Sequence, residues 1–249
     1  WLRRRWRLRR LRRRVRRRRR GIRVVVKQLT EEDHRKVSAA VTAAEADSSG
    51  EIVVVATPLS DPYHDVALHW ALVPLFAVLA WAAWRPTALV WWYDALFGGW
   101  QADPTQSQLL TLLMVFAALK FTVALLILKW MPLRLLLTPA ATKHRRVRRR
   151  ALAIFQAAAA RRTTGRTGIL IYLSLAERRA EIIADEAILK VTDEHTWGEA
   201  MAALLTDVKA GRIGDGIVAA VEQVGVVLSQ HFPRSAADAN EIPDELIEL

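Results

Sequence analysis

The side chains best suited to chemistry are acidic residues in the last third of the chain. They fall in three short groups, Asp185-Glu186, Asp193-Glu194-His195 and Asp215. Carboxylate oxygens are the ligands that Ca²⁺ and Mg²⁺ prefer, and a cluster of them around a metal-activated water is a common arrangement for phosphate ester hydrolysis. Asp185, Asp193 and Asp215 are therefore the candidate metal ligands, and Ca²⁺ or Mg²⁺ is the candidate ion. The sequence indicates no other cofactor.

These residues also have ordinary structural explanations. Asp215 lies in Gly214-Asp215-Gly216, where an aspartate is typical of a helix N-cap. Asp193-Glu194-His195 precedes Trp197 and is typical of the solvated start of a helix. Arg161-Arg162 and Arg178-Arg179 could hold a phosphate or could be charged turns and solvated surface. The sequence has no Walker phosphate loop, HExxH zinc motif or nucleophile elbow, so it assigns no catalytic residue.

Three short apolar runs predict the strands that would position these residues. The runs are Glu51–Ala56, Gly168–Leu173 and Ala180–Asp185, and a polar turn joins the last two as a hairpin. Continuous β-branched runs are typical of strands buried on both faces. Helices are predicted after a Thr30 cap, from Arg146, around Trp197–Val208 and around Ile217–Leu228. The expected fold is α/β, a short mixed sheet between helices, interrupted by a two-helix transmembrane hairpin.

Two apolar stretches predict the membrane spans. They run from about 66 to 84 and from about 109 to 128, and each is long enough to cross the hydrocarbon core of a bilayer. Each contains one polar residue, His69 in the first and Lys120 in the second. Lys120 could mark a polar pathway or a partner helix, or it could reach the interface by snorkelling. Interfacial placement explains His69.

Basic residues at the flanks predict the orientation. The connecting segment 85–108 carries Arg85 alone, whereas eight basic residues follow the second stretch (Lys129, Arg134, Lys143, Arg145, Arg146, Arg148, Arg149 and Arg150). Loops rich in lysine and arginine stay in the cytoplasm. The sequence therefore predicts a multi-pass membrane protein with both termini in the cytoplasm.

The net charge of +12 comes from the first residues of the chain. Residues 1–23 contain 15 arginines and no acid, so the remainder carries 12 − 15 = −3. Such a run cannot form a core and is typical of disorder. It is either an arm for nucleic acid or anionic lipid, or not native protein at all, with a genuine start near Val24–Val26. Cysteine is absent, which excludes disulfides and thiolate metal sites.

These observations predict five segments. An Arg-rich disordered tail covers 1–25, and residues 26–62 form the first part of an α/β domain. The transmembrane hairpin covers 63–137, residues 138–233 complete the α/β domain, and an acidic loose tail covers 234–249. Neither soluble part suffices for a core, so we expect Glu51–Ala56 to pair in parallel with the strand from Gly168. Ile169, Ile171 and Leu173 are the candidate neighbours of Val53.

Several of these segments resemble the TPM-domain family. The resemblance rests on Gly50–Val55, Arg166–Leu175, Arg178–Ile188 and Trp197, and it covers about 30–57 and 147–232. The family includes thylakoid-lumen proteins linked to photosystem repair and many bacterial membrane proteins. This chain is most similar to the bacterial branch in which two spans interrupt the domain, and this resemblance implies a location in the bacterial inner membrane.

The resemblance implies an α/β sandwich, and in some members a divalent metal and a proposed acid phosphatase activity. Many members have Asp-Asn-Gly before the central strand, where this chain has Arg166-Thr167-Gly168. The change removes a hard oxygen ligand and introduces a cation that would repel a metal. It favours a non-enzymatic module that binds a membrane-protein partner or helps assemble or maintain membrane complexes. The alternative is a metal-dependent phosphatase, and nucleic-acid binding rests on the tail alone.

Overall fold

The computed structural model describes residues 29–98, 103–158, 167–192, 196–234 and 245–249. Contacts divide these residues into two compact units. The hairpin unit contains residues 63–138. The α/β unit contains the described residues before 63 and after 138, so its chain is interrupted by the hairpin unit.

The described part of the chain contains four strands and nine helices, named here in chain order. The strands are β1 (Glu51–Thr57), β2 (Gly168–Ser174), β3 (Arg179–Ala184) and β4 (Ile247–Glu248). The helices are α1 (Glu31–Ala46), α2 (His64–Trp84), α3 (Pro86–Phe97), α4 (Gln106–Ile127), α5 (Met131–Leu137), α6 (Ala140–Ala158), α7 (Glu186–Leu189), α8 (Thr196–Lys209) and α9 (Ile213–His231).

The α/β unit is built on one mixed sheet with strand order β3-β2-β1-β4. β1 runs parallel to both β2 and β4, and β2 and β3 form an antiparallel pair. Every residue of β1 and β2 is buried, which explains why the central residues of both strands form continuous apolar runs instead of alternating with polar residues. The predicted fold class, a short mixed α/β sheet between helices, is confirmed.

The register of β1 and β2 sets the two faces of the sheet. Val53 pairs with Leu170, not with Ile169, Ile171 or Leu173, so the predicted neighbours of Val53 are wrong. Successive side chains of a strand point to opposite faces, and those three side chains lie on the face away from Val53. Apolar residues fill both faces, so the sequence pattern alone does not distinguish one register from the next.

Helices cover both faces. α6 places Val147, Ala151 and Phe155 against the face that carries Val53 and Tyr172. The opposite face carries Ile52 and Ile171 and packs against side chains of three helices, namely Val37 and Val41 from α1, Ala200 and Leu204 from α8, and Ile217, Val221 and Leu228 from α9. The result is a three-layer sandwich. α1 begins at the predicted cap, where Thr30 and Asp33 form a reciprocal capping box.

The C-terminal segment corrects one prediction. The sequence predicts a loose acidic tail over 234–249, but Ile247 and Glu248 form β4 beside Val55 and Ala56 of β1. Leu246 is buried in the core of the α/β unit. Two apolar residues within an acidic segment are enough to add a short strand to an open sheet edge, because backbone groups make the pairing.

The hairpin unit contains α2, of 21 residues, and α4, of 22 residues, at the positions predicted for the spans. Both are long and apolar enough to cross a membrane. The segment between them, predicted only as a connection, contains α3. A small cluster of Ala82, Leu89 and Leu112 joins the three helices. After α4, the buried side chain of Arg134 on α5 donates two hydrogen bonds to the carbonyl oxygen of Leu128.

Candidate functional site

A group of polar side chains lies where β1 and β2 end. Thr57 is the last residue of β1, Ser174 is the last residue of β2, and Tyr172 precedes Ser174 by two positions. Pro58 follows β1, and Arg178 turns the chain into β3 with a left-handed backbone (φ 50°). Because parallel strands end at the same edge, these local features bring their side chains together. We call this group, with Ser60 and Glu177, the carboxyl-end cluster.

Hydrogen bonds join every member of the carboxyl-end cluster. The Tyr172 hydroxyl lies 2.8 Å from Thr57 Oγ1 and 2.8 Å from Ser60 Oγ. A phenol has one proton, so it donates to at most one of these hydroxyls and accepts from at least one of them. Glu177 Oε1 accepts from the Ser60 backbone N–H at 3.0 Å, and its Oε2 accepts from Ser174 Oγ. Thr57, Tyr172, Ser174 and Glu177 are buried. The cluster fixes the loop after β1 against the β2–β3 turn.

Two ion pairs hold the start of α6 beside this edge. Arg146 Nη1 lies 2.7 Å from Asp61 Oδ1, directly after Ser60 in the chain. His144 Nδ1 lies 2.9 Å from Glu181 Oε1 on β3. Glu181 is the partner of Tyr172 across the strand pair, so it shares the sheet face covered by α6. The first turns of α6 are therefore fixed to both β1 and β3.

The Glu181 carboxyl has a perturbed titration. Burial raises its pKa above the ordinary glutamate value, because the charged form loses hydration. His144, Arg148 and Arg179 oppose this effect by attracting the negative charge. A carboxyl of raised pKa can donate or accept a proton nearer neutral pH than a solvated one, which is the property a general acid needs.

The carboxyl ends of the strands, where this cluster lies, are the usual place for a ligand in an open α/β sheet. β1 has a parallel neighbour on each side, and the chain reaches these neighbours through helices on opposite faces, α6 for β2 and α8 with α9 for β4. Ligands of such sheets bind at the carboxyl ends of strands, at this kind of switch point. The cluster offers hydroxyl and carboxylate oxygens there, but they already bond one another.

The acidic residues predicted as metal ligands lie elsewhere. Asp185 follows β3, and its backbone N–H donates to Gly168 O at the start of β2, at the other end of the strands from the carboxyl-end cluster. Asp215 lies in the first turn of α9, 3.4 Å from Lys36 Nζ. Its predicted N-cap role is wrong, because Arg212 occupies the cap position. Asp193 lies outside the described residues. Within those residues, no three His, Cys, Asp or Glu side chains are grouped closely enough to hold a metal.

The remaining predicted residues divide between the hairpin unit and the start of β2. His69 Nδ1 lies 2.6 Å from the Asp65 carbonyl oxygen one turn earlier in α2, and Lys120 is exposed on α4. Arg166 lies outside the described residues, as do Arg161-Arg162. Next to Arg166, Thr167 Oγ1 donates to Ser49 O at 2.9 Å. The hydroxyl that replaces the family's amide therefore links β2 to the residues before β1.

The sequence does not predict the carboxyl-end cluster or the ion pair between Glu181 and His144. Tyr172 lies within an otherwise apolar strand run, and Glu177 lies within a polar turn. One signal was available. A tyrosine and a serine near the end of an otherwise apolar strand need partners when buried, and the nearest polar residues at that edge are those after β1.

Fold and site together define an α/β domain with a mixed sheet between helices and a polar edge at its carboxyl ends. Residues 132–227 match the family model of the TPM domain. The match begins within α5 and ends within α9. The segment 30–57 lies outside it and joins the same sheet through β1.

The chain is also similar to a solved structure, the NMR structure of the BA42 protein from the psychrophilic bacterium Bizionia argentinensis. The two share 17% sequence identity over 90% of this chain and 98% of that one, with a TM-score of 0.51. At this identity the similarity shows the fold alone. No curated protein matches the sequence significantly.

Proposed function

We propose that this chain is a membrane-anchored TPM-domain protein whose α/β unit faces the cytoplasm and binds a membrane-protein partner, assisting the assembly or maintenance of a membrane complex. The observation that carries the proposal is the outward apolar surface of α2 and α4. Only 22% and 11% of their most apolar 18-residue stretches are buried, which supports membrane spans over core helices of a water-soluble fold.

The lengths of these helices support the anchoring. At about 1.5 Å per residue, the 21 residues of α2 reach about 32 Å, close to the thickness of a bilayer core. Their exposed side chains include Phe76 on α2 and Met114 and Leu119 on α4. In water, two such surfaces would aggregate, whereas in lipid they are in a matching solvent.

The flanking charges support the orientation. Eight basic residues follow α4, against Arg85 alone between the spans. One of the eight, Arg134, is buried within the hairpin unit, which leaves seven near the C-terminal flank. The bias still favours a cytoplasmic C-terminal part, and two spans return the N-terminal part to the same side. The resemblance to the bacterial branch of the TPM-domain family supports a bacterial inner membrane as the setting.

The polar residues support binding over hydrolysis. Thr167, in the family's Asp-Asn-Gly position, donates its hydroxyl to Ser49 O. Asp185 and Asp215 lie at separate places, one after β3 and one beside Lys36. The carboxyl-end cluster is mostly buried and has its oxygens in mutual hydrogen bonds, which suits a rigid support for the loops around it better than a catalytic site.

Reporter fusions test the topology. A cytoplasm-active reporter after Leu249 and another before Leu29 should both be active, and one inserted within 95–105 should be inactive. The complementary reporter, active outside the cytoplasm, should give the opposite pattern and serves as the control. A C-terminal fusion active on the far side of the membrane would overturn the proposed orientation.

An activity assay of the purified protein distinguishes the proposed binding role from the alternative, a metal-dependent phosphatase. We expect no Ca²⁺- or Mg²⁺-dependent hydrolysis of phosphomonoesters above the rate of a boiled sample. Metal-dependent turnover that is lost in Asp185→Ala or Asp215→Ala, but kept in the surface variant Glu222→Ala, would establish a phosphatase. Purification from membranes with and without Glu177→Gln would then identify partners that depend on the carboxyl-end cluster.

A further inference from the structure

The outer side of α6 is strongly basic. The helix contains six lysines and arginines and no aspartate or glutamate. Two of its arginines face acids of the same unit, Arg146 through its ion pair with Asp61 and Arg148 through its attraction to Glu181. Arg145, Arg149 and Arg150 are exposed and make no ion pair with any described residue. We call Arg145 and Arg149, which lie one turn apart, the outer arginine face.

The geometry of α6 makes this face available to a partner. Val147 and Ala151 are fully buried against the sheet, and Arg145 and Arg149, one turn apart, lie on the opposite side of the helix. Leu152 follows Arg149 by three positions and keeps 39% of its surface exposed. The surface is therefore a pair of guanidinium groups beside one apolar side chain, on a helix whose other side is fixed.

We infer that the outer arginine face binds anionic phospholipid headgroups of the membrane in which the hairpin unit is anchored. The inference rests on the proposed membrane anchoring. Arginine matches phosphate oxygens in two parallel hydrogen bonds, and juxtamembrane basic segments are attracted to anionic leaflets. Leu152 suits the boundary between headgroups and acyl chains, where apolar side chains of surface helices insert.

The chain connection favours lipid over other anionic partners. Only Thr138 and Pro139 separate α5 from α6, so a membrane containing the hairpin is held close to α6 by a short tether. Nucleic acid is less suited to this surface. Bases stack on exposed aromatic rings, but in α6 Phe155 is buried against the sheet and the His144 imidazole is paired with Glu181.

The absence of cysteine allows a clean test with a single probe. The full chain with Gln156→Cys is labelled with an environment-sensitive fluorophore and reconstituted in nanodiscs of phosphatidylcholine alone or mixed with phosphatidylglycerol. Gln156 is exposed on the outer side of α6, and the matched control Gln223→Cys is exposed on α9 in the opposite helix layer. The expected result is a blue shift at position 156 that needs phosphatidylglycerol and disappears at high salt, with no shift at position 223.

A charge-matched pair of variants tests the arginines. Arg145→Gln with Arg149→Gln should abolish most of the shift, because each basic residue near an anionic surface contributes about fivefold to binding. Arg35→Gln with Lys209→Gln removes the same charge from the opposite helix layer and should keep it. An equal loss in both pairs would assign the effect to net charge and overturn the inference.

Two further outcomes separate this inference from the anchoring. Protease protection of the hairpin in the same nanodiscs reports insertion. An inserted protein whose probe at position 156 ignores phosphatidylglycerol overturns the lipid site and leaves the anchoring intact. A blue shift at position 156 that is produced by added RNA or by an acidic protein, and not by phosphatidylglycerol, would also overturn the lipid site. A protein that does not insert refutes the proposed function and the inference together.

Discussion

The two units of the molecule use apolar side chains in opposite ways. In the α/β unit, Ile171 and Leu204 are completely buried, as are the side chains around them on both faces of the sheet. In the hairpin unit, Phe76 and Leu119 keep 60% and 54% of their surface exposed. Apolar residues thus form a closed interior in one unit and an outward surface in the other.

The difference follows from how apolar residues are arranged along each helix. α6 and α9 have one apolar side and one polar side, so each can cover a sheet and face water. α2 and α4 are apolar all round, and two helices cannot bury their whole circumference against each other. One chain therefore contains two patterns that suit two different solvents, and the following predictions contrast them.

The largest expected effect comes from an engineered disulfide between β1 and β2, the two neighbouring strands that the hairpin unit separates in the sequence. Val53→Cys with Leu170→Cys places two thiols on partner residues of neighbouring strands, on the same face. Strand spacing of about 4.8 Å is within disulfide range. The bond would close a loop of 170 − 53 = 117 residues, and the chain-entropy model gives a stabilisation of about 4 to 5 kcal/mol. Gel mobility and denaturant unfolding, oxidised against reduced, measure both results.

The control pair is Val53→Cys with Ile169→Cys. Ile169 is adjacent in sequence to Leu170 but points to the other face, so this pair should stay reduced under the same oxidation. A cross-link in the control and none in the test pair would mean that the register is shifted by one residue. No cross-link in either, with the protein folded, would mean that β1 and β2 are not neighbours.

The pairing of β1 with β2 also shows how far the sequence predicts the fold. The β-branched runs at 51–56 and 168–173 predict two buried strands, and the helix between the hairpin and the second run predicts a parallel pairing. The register does not follow, because Val53 and Ile52 are equally apolar and both faces of the sheet are covered. Alternation of polar and apolar residues is the usual signal for register, and it is missing here.

The candidate site was less predictable than the fold. Its members come from the ends of β1 and β2, 115 positions apart between Thr57 and Tyr172, and only the sheet brings them together. Asp185 and Asp215 attracted attention because carboxylates suggest metal chemistry, whereas Tyr172 looks like one more core residue. β4 was missed for a related reason, since a two-residue strand has no periodicity to detect.

The second prediction compares one residue type in the two units. Leu204→Ala should lower the free energy of unfolding of the α/β unit by about 3 kcal/mol, because the truncation leaves a cavity in a closed interior. Leu119→Ala, at an outward position of α4, should change stability by less than about 1 kcal/mol. Denaturant unfolding in detergent micelles, followed by circular dichroism, measures both. Equal losses would contradict the contrast between the units.

The third prediction replaces an exposed apolar residue by a charge in each unit. Phe76 lies near the middle of α2, where an aspartate disfavours membrane insertion by about 2.5 to 3.5 kcal/mol. Phe76→Asp should therefore reduce the protein retained in carbonate-washed membranes. Val226→Asp, at a similarly exposed position of α9, should leave retention unchanged. If both variants behave as the parent does, α2 lies in water and the membrane anchoring is wrong.

The smallest effect expected concerns a charge that the α/β unit buries. Burial raises the pKa of Glu181, so the folded protein holds this proton more tightly than the unfolded chain does. The stability contributed by Glu181 is therefore complete below the ordinary glutamate pKa and is lost as the pH rises through the raised pKa. His144, Arg148 and Arg179 face the carboxyl and limit the loss, because they stabilise its charged form.

Glu181→Gln removes the titrating group and keeps the shape of the side chain. Relative to the parent, the variant should gain stability as the pH rises from the acid range toward neutrality, because the parent alone must ionise a buried carboxyl. Glu222→Gln, at an exposed position of α9, is the matched control and should follow the parent at every pH. Thermal unfolding across this pH range measures the difference. Parallel profiles for Glu181→Gln and the parent would show that folding leaves the pKa of Glu181 unchanged, which would contradict the predicted net effect of burial.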